Sequence, residues 1–91
     1  MSTRYRLRPG VLAQTALPRA VVLDSARGEY AEVNAVGTAI LRWLIAGLDT
    51  DAVAARVAAE FAVAPEVAAA DCGAFCADLL ARGLIEPLPA G

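Results

Sequence analysis

The feature that most constrains this chain is a change of hydrophobic period inside "GEYAEVNAVGTAIL", residues 28–41. Up to Val33 apolar and polar residues alternate, the pattern of a half-buried strand. From Asn34 onward the apolar positions Val36, Ile40, Trp43 and Leu44 recur at helical spacing. Strand and turn signals lie before this point, and helical signals lie after it. Residues 11–33 read as a β meander: "VLAQTA" (11–16) a weak strand, "LPR" (17–19) a turn, "AVVLD" (20–24) a clear strand, "SARG" (25–28) a turn closed by Gly28, and "EYAEV" (29–33) a third strand. Alternation in that third strand places Glu29, Ala31 and Val33 on one face and Tyr30 and Glu32 on the other.

Asn34 suits the N-cap of a first helix, which runs to about Ala46 and stops at Gly47. A second helix opens at Thr50, with Asp49 and Asp51 where acids favour the helix dipole, and turns Val53, Val57 and Phe61 inward. Pro65 suits the first turn of a third helix, whose inward stripe is Cys72, Phe75, Cys76 and Leu79 and whose end is Gly83. Leu84 and Ile85 then return to the core. The expected fold is therefore α+β: a three-stranded antiparallel meander followed by three α-helices, resembling a winged helix-turn-helix. At 91 residues it is one domain, with a basic arm at 1–10, the sheet at 11–33, the helices at 34–83 and a tail at 84–91. Three strands cannot hide both faces, so the helices cover one and the sheet keeps two edges.

Several function classes are disfavoured by composition. The chain has no histidine and no lysine, which removes the commonest general base and a common metal ligand. No carboxylate sits in a catalytic motif, and Gly28, Gly37 and Gly47 are isolated rather than part of a phosphate loop. Cys72 and Cys76 lie one turn apart on one helix face; without histidine they are too few for structural zinc and read as small core residues. Neither an enzyme nor a metal or cofactor site is expected. Although 58% of residues are apolar, nothing approaches the ~20 consecutive apolar residues that span a bilayer. "VLAQTALPRA" is too interrupted for a signal peptide, so the expected location is cytoplasmic.

Charge is uneven: residues 1–23 hold four arginines and no acid, whereas residues 24–91 hold ten acids and four arginines. A recognition helix carrying Asp71 and Asp78, with Arg82 alone at its end, repels DNA, so no nucleic-acid partner is expected. Arg4, Arg6 and Arg8 read as a disordered basic arm, with a docking patch for an enzyme as the other option. The remaining possibility is a peptide. An unpaired sheet edge can accept an extended peptide as an extra strand, and the third strand is the candidate edge, with the third helix walling a groove beside it. Acids there suit a peptide carrying Lys or Arg, and Phe75, Leu79 and Val33 can floor an apolar pocket.

Over nearly its full length the chain resembles the PqqD-like family, the recognition element for ribosomally made, post-translationally modified precursor peptides. The resemblance rests on "LRPGV" (7–11), "AVVLD" (20–24), "GEYAEVNAVGTAIL" (28–41), "AGLDTDAVAARVAAEF" (46–61) and "APEVAAADCGAFCADLLARGLIE" (64–86) in that order. The pair Asn34 and Gly37 and the run from Asp71 to Ile85 are its most specific parts. Departures are Ala31, where relatives often carry a larger aromatic, and Cys72 and Cys76 in place of aliphatics.

The resemblance implies a non-catalytic carrier that binds a precursor's leader as a fourth strand on the third strand, beside the third helix, and presents it to modifying enzymes. Similarity is greatest to the stand-alone leader-binding proteins of lasso-peptide pathways, whose partners are a leader protease and an asparagine-synthetase-like cyclase. The rival is a peptide chaperone for a radical SAM enzyme in pyrroloquinoline quinone synthesis. Carried over by position, the peptide-binding residues are Glu29, Tyr30, Ala31, Glu32 and Val33 on the strand. Helical periodicity adds Asp71, Phe75, Asp78 and Leu79. The bland alternative for Phe75 and Leu79 is plain core, and for Asp71 and Asp78 solvated surface. Glu29 and Glu32 fit an edge kept soluble until a peptide pairs with it. An unfilled edge could also pair with a second copy, so either a monomer or an edge-paired or strand-exchanged dimer is compatible.

Overall fold

The computed structural model describes residues 2–89. Its elements are β1 (Tyr5–Leu7), β2 (Val11–Gln14), β3 (Val21–Asp24), β4 (Glu29–Glu32), α1 (Ala35–Ile45), α2 (Thr50–Phe61), α3 (Pro65–Ala81) and β5 (Ile85–Pro87). The expected meander is the antiparallel sheet β2-β3-β4, followed by the three expected helices. Its register sets Leu12 opposite Leu23 and Leu23 opposite Tyr30.

The reading of Arg4, Arg6 and Arg8 as a disordered arm needs correction. Residues 5–7 form β1, which pairs antiparallel with β5, Tyr5 opposite Pro87 and Leu7 opposite Ile85. Tyr5 and Leu7 pack against the core while Arg4, Arg6 and Arg8 remain exposed, so the arm is an amphipathic strand whose polar face is arginine. Main-chain bonds from Arg8 N–H to the Leu84 carbonyl and from Leu88 N–H to the Arg4 carbonyl extend the pairing, and Arg6 meets Glu86 at 3.0 Å. The tail expected at 84–91 is therefore strand at 85–87; Met1 of the arm and residues 90–91 of the tail lie outside the described residues.

Local chemistry sets the helix ends. The Asn34 side-chain oxygen accepts from Gly37 N–H at 2.8 Å, and that of Asp49 from Ala52 N–H at 2.9 Å. Each cap satisfies a first-turn amide that has no helical partner. Pro65 opens α3, where its missing N–H costs nothing. Gly83 follows α3 at φ +71°, a backbone conformation that a side chain would strain.

One buried cluster joins the layers. Val11, Val22 and Val33 from the inner face of the meander meet Ile40, Leu41 and Leu44 of α1, Val53 and Val57 of α2, and Cys72, Cys76 and Leu79 of α3. Each fully buried Val, Leu or Ile contributes roughly 1.5–3 kcal/mol relative to exposure. Phe61 and Phe75, expected inside, are half-buried at the rim of this cluster. Buried Thr38 ties sheet to helix: its hydroxyl accepts from Ala20 N–H and donates to the Asn34 carbonyl, each at 2.8 Å. The start of β3 and the first turn of α1 are thereby held together, which fixes β4 against α1.

Candidate functional site

The phase of the β3–β4 ladder decides which atoms of β4 are free. Val33 N–H donates to the Ala20 carbonyl at 2.8 Å, so the Ala20–Val33 pair is of the hydrogen-bonded kind. Such pairs alternate with non-hydrogen-bonded ones in an antiparallel ladder. The register Val21–Glu32, Val22–Ala31, Leu23–Tyr30, Asp24–Glu29 therefore directs the main chain of Ala31 and Glu29 at β3 and that of Tyr30 and Glu32 away from it. On the other side of β3, Ser25 N–H bonds to the Gly10 carbonyl at 3.0 Å, which gives the complementary phase and confirms the assignment.

The two edges of this sheet differ. On β2, Val11 N–H is already taken by the Arg8 carbonyl and beyond the strand Arg42 covers the carbonyls of Thr15 and Leu17 at 2.8 and 3.2 Å, so Ala13 is the one residue of that strand with both main-chain groups outward and unpaired among the described residues. On β4 the N–H and C=O groups of both Tyr30 and Glu32 face outward with no main-chain partner among the described residues. Glu32 reaches back to Arg19 at 3.2 Å through its side chain, which leaves its backbone open.

Beside that edge, α3 forms the second wall of a groove. A cavity of about 180 Å³ is lined by Ala31, Glu32, Val33, Asn34, Phe75, Asp78, Leu79 and Arg82. Six of the nine expected site residues thus converge on one space. Asp71 lines an adjoining cavity of about 370 Å³ that shares Asn34, Phe75 and Asp78. Glu29 and Tyr30 line a third, of about 110 Å³, which shares Ala31 and Arg82 and is floored by Val22 and Leu84. Two of these spaces flank β4, and the Asp71 cavity continues past Asn34 between α1 and α3.

Within this groove the residues differ in kind. Tyr30, Glu29, Glu32, Asp71 and Asp78 are exposed, Ala31 and Phe75 are half-buried, and Val33 and Leu79 are core residues at 7% and 3% exposure that only floor the groove. Asn34, Arg82, Val22 and Leu84 were missing from the expected set. Asn34 is legible in the sequence as a helix cap, but its second role as groove wall follows from the position of α3, which no local pattern encodes.

Gly37 explains why the strand runs straight into Asn-x-x-Gly. A Cβ at this position would lie 2.5 Å from Val33 Cγ1 and 2.7 Å from Phe75 Cε1. Glycine lets α1 approach closely enough for Phe75 to stand beside β4. The opposite face of the sheet carries the directly paired row Leu12, Leu23 and Tyr30, exposed by 62%, 39% and 76%.

Cys72 and Cys76 are free, buried and side by side. Donation of its S–H to Cys72, together with burial, pushes the Cys76 thiol well up, so it stays protonated at neutral pH. Among the described residues no group of three or more His, Cys, Asp or Glu could hold a metal ion. No described helix is long and apolar enough to cross a membrane.

Comparison with known proteins bears on the family and the fold. No curated protein sequence matches the chain. Among solved structures, one described as lasso peptide synthetase B1 complexed with the leader peptide is 28% identical, with a TM-score of 0.84 over 92% of this chain and 99% of that one. Another, TbiB1 in complex with the TbiA(beta) leader peptide, shares the fold at a TM-score of 0.84 and 22% identity, covering 93% of this chain and 99% of that one. The sequence model for coenzyme PQQ synthesis protein D (PqqD) matches residues 19–85, from the turn before β3 to the start of β5, and the chain belongs to the PqqD family.

Proposed function

We propose that this chain is a non-catalytic recognition protein that binds the leader of a ribosomally synthesised precursor peptide as a fourth strand on β4. The observation that carries this reading is the outward main chain of Tyr30 and Glu32 beside a groove walled by Phe75, Asp78 and Arg82. An antiparallel leader, the slightly more stable arrangement, closes main-chain hydrogen bonds at both residues. At about 0.5–1.5 kcal/mol each, these bonds give affinity with little regard to sequence.

Choice among peptides comes from side chains. Leader residues opposite Tyr30 and Glu32 project to the outer face, and the residue opposite Ala31 projects inward. Ala31 lines two of the three cavities, so its short side chain leaves room for a bulky apolar anchor between Val22, Leu84, Leu79 and Phe75. Asp71 at the other end, with Asp78 beside it and paired to Arg82, suits a leader residue bearing Lys or Arg.

The bound leader is then presented to modifying enzymes: in the lasso-peptide reading, a leader protease and an asparagine-synthetase-like cyclase in the cytoplasm. The likeness to a B1 protein with bound leader favours that pathway. The family match keeps the alternative of a chaperone for a radical SAM enzyme in pyrroloquinoline quinone synthesis. The exposed row Leu12, Leu23 and Tyr30 is a surface on which such an enzyme can sit without blocking the β4 edge. Titration with the synthetic leader encoded by the short reading frame next to this chain's gene tests the reading. Saturable binding at micromolar or lower concentration is expected; no saturation up to high micromolar contradicts it.

A further inference from the structure

Two arginines far apart in sequence converge where β4 begins and α3 ends. Arg8 Nη1 lies 3.5 Å, and Arg27 Nη2 3.9 Å, from the point a Cβ of Gly83 would occupy. Like charges gather here because the C-terminal end of α3 carries partial negative charge, and Arg27 Nη1 donates to the Arg82 carbonyl at 3.4 Å. Arg82 itself lines the adjoining cavity beside Arg27, Tyr30 and Ala31.

The carboxylates around them are largely engaged elsewhere. Asp24 is drawn inward, its Oδ1 accepting from Ala26 and Arg27 N–H, and its Oδ2 reaches Arg27 Nε only at 3.7 Å. Glu86 makes its short contact with Arg6 at 3.0 Å and a long one with Arg8 at 3.9 Å. Asp78 pairs with Arg82 at 3.3 Å. Glu29 is exposed on the strand itself. Arg8 and Arg27 keep 55% and 60% of their side-chain surface in solvent, and a planar guanidinium has five N–H donors, most of them unspent here.

We propose that Arg8 and Arg27, converging over Gly83 at the Glu29 end of β4, form a binding site for a carboxylate side chain of the leader. This rests on the strand-addition reading above. In antiparallel addition the leader passes Glu29 on its C-terminal side, so the acidic residue lies just after the paired segment, clear of Glu29, which would repel a like charge directly opposite. A carboxylate between two guanidiniums receives charge-assisted hydrogen bonds from both. Together with Asp71 at the other end, the site gives the groove a charge direction that disfavours a reversed leader.

The test is a fluorescence-anisotropy titration of the intact chain with the synthetic leader from the neighbouring reading frame, and with the same peptide carrying Gln or Asn at the acidic positions after its paired segment. The neutralised peptide binds about fivefold more weakly, near the upper end for an exposed ion pair. Against the Arg8→Gln, Arg27→Gln double variant the two peptides bind equally, and thermal unfolding shows whether that variant is folded. Equal binding of both peptides to the unmodified chain overturns the proposal, as does a leader with no acid after the segment. If the unmodified leader does not bind at all, the strand-addition reading itself falls, an outcome distinct from binding that ignores the acid.

Discussion

Val33 N–H donates to the Ala20 carbonyl at 2.8 Å, and that one bond sets the phase of the whole β4 edge. Because the bond points inward at Val33, the main-chain groups of Glu32 and Tyr30 point outward. Glu29 and Glu32 place exposed charges on this edge, a pattern that disfavours edge-to-edge aggregation.

Proline substitution separates the two faces of that edge. Glu32→Pro removes an outward N–H that no β3 group uses, a position where edge strands tolerate proline. Stability measured by urea unfolding should change by less than about 1 kcal/mol beyond that of Glu32→Gln, while leader affinity falls about tenfold or more. Ala31→Pro removes a bond to β3 instead, leaving its β3 carbonyl partner unsatisfied, and should cost about 1–3 kcal/mol of stability.

In the proposed binding mode Ala31 sets the size of the anchor pocket. Ala31→Leu adds side-chain volume to the space it shares with Phe75, Leu79, Val22 and Leu84, most of which is open in the free protein. Calorimetric titration should show leader affinity reduced about tenfold or more, with the midpoint of thermal unfolding unchanged or slightly raised. A variant that binds as tightly as the parent would place the anchor elsewhere.

Gly37→Ala introduces a Cβ into space held by Val33 and Phe75. Overpacking of this kind costs about 1–3 kcal/mol, read as a fall in the urea midpoint without change in slope. Because Phe75 must shift, leader affinity should fall along with stability, which links the Asn34–Gly37 motif to the groove as well as to the helix cap.

Acid stability carries a signature of Asp49. The Ala52 N–H that donates to its carboxyl holds it below the ordinary carboxylate value of 3.8. A lowered folded pKa means a contribution present above 3.8 and lost as pH falls through the lower folded value. Asp49→Asn keeps a good cap at neutral pH but removes the titration. Its unfolding free energy should match the parent near pH 7 and depend less steeply on pH below about 4.

Much of this architecture is legible in the sequence because it is local. The period change at Asn34, the cap at Asp49, Pro65 at the start of α3 and the glycines after α1 and α3 each announce themselves within a few residues. The β1–β5 pair does not, since Arg6 and Glu86 lie 80 positions apart and the alternation Tyr5, Arg6, Leu7 is too short to distinguish from a charged arm. At the site, the strand residues follow from the family resemblance, and Phe75 and Asp78 follow from helical period. The place of Asn34 and Arg82 in the groove, and the meeting of Arg8 with Arg27, follow from how α3 lies across the sheet. That packing depends on the missing side chain of Gly37, a three-dimensional fact with no periodic signature.

The most direct measurement is amide hydrogen exchange of this chain, residue by residue, with and without saturating leader peptide. Strand addition to β4 predicts that the amides of Tyr30 and Glu32, unbonded in the free protein, become strongly protected, while those of Ala31 and Val33 change little and the β2 edge not at all. Saturable binding that leaves Tyr30 and Glu32 exchanging as fast as before would contradict the account.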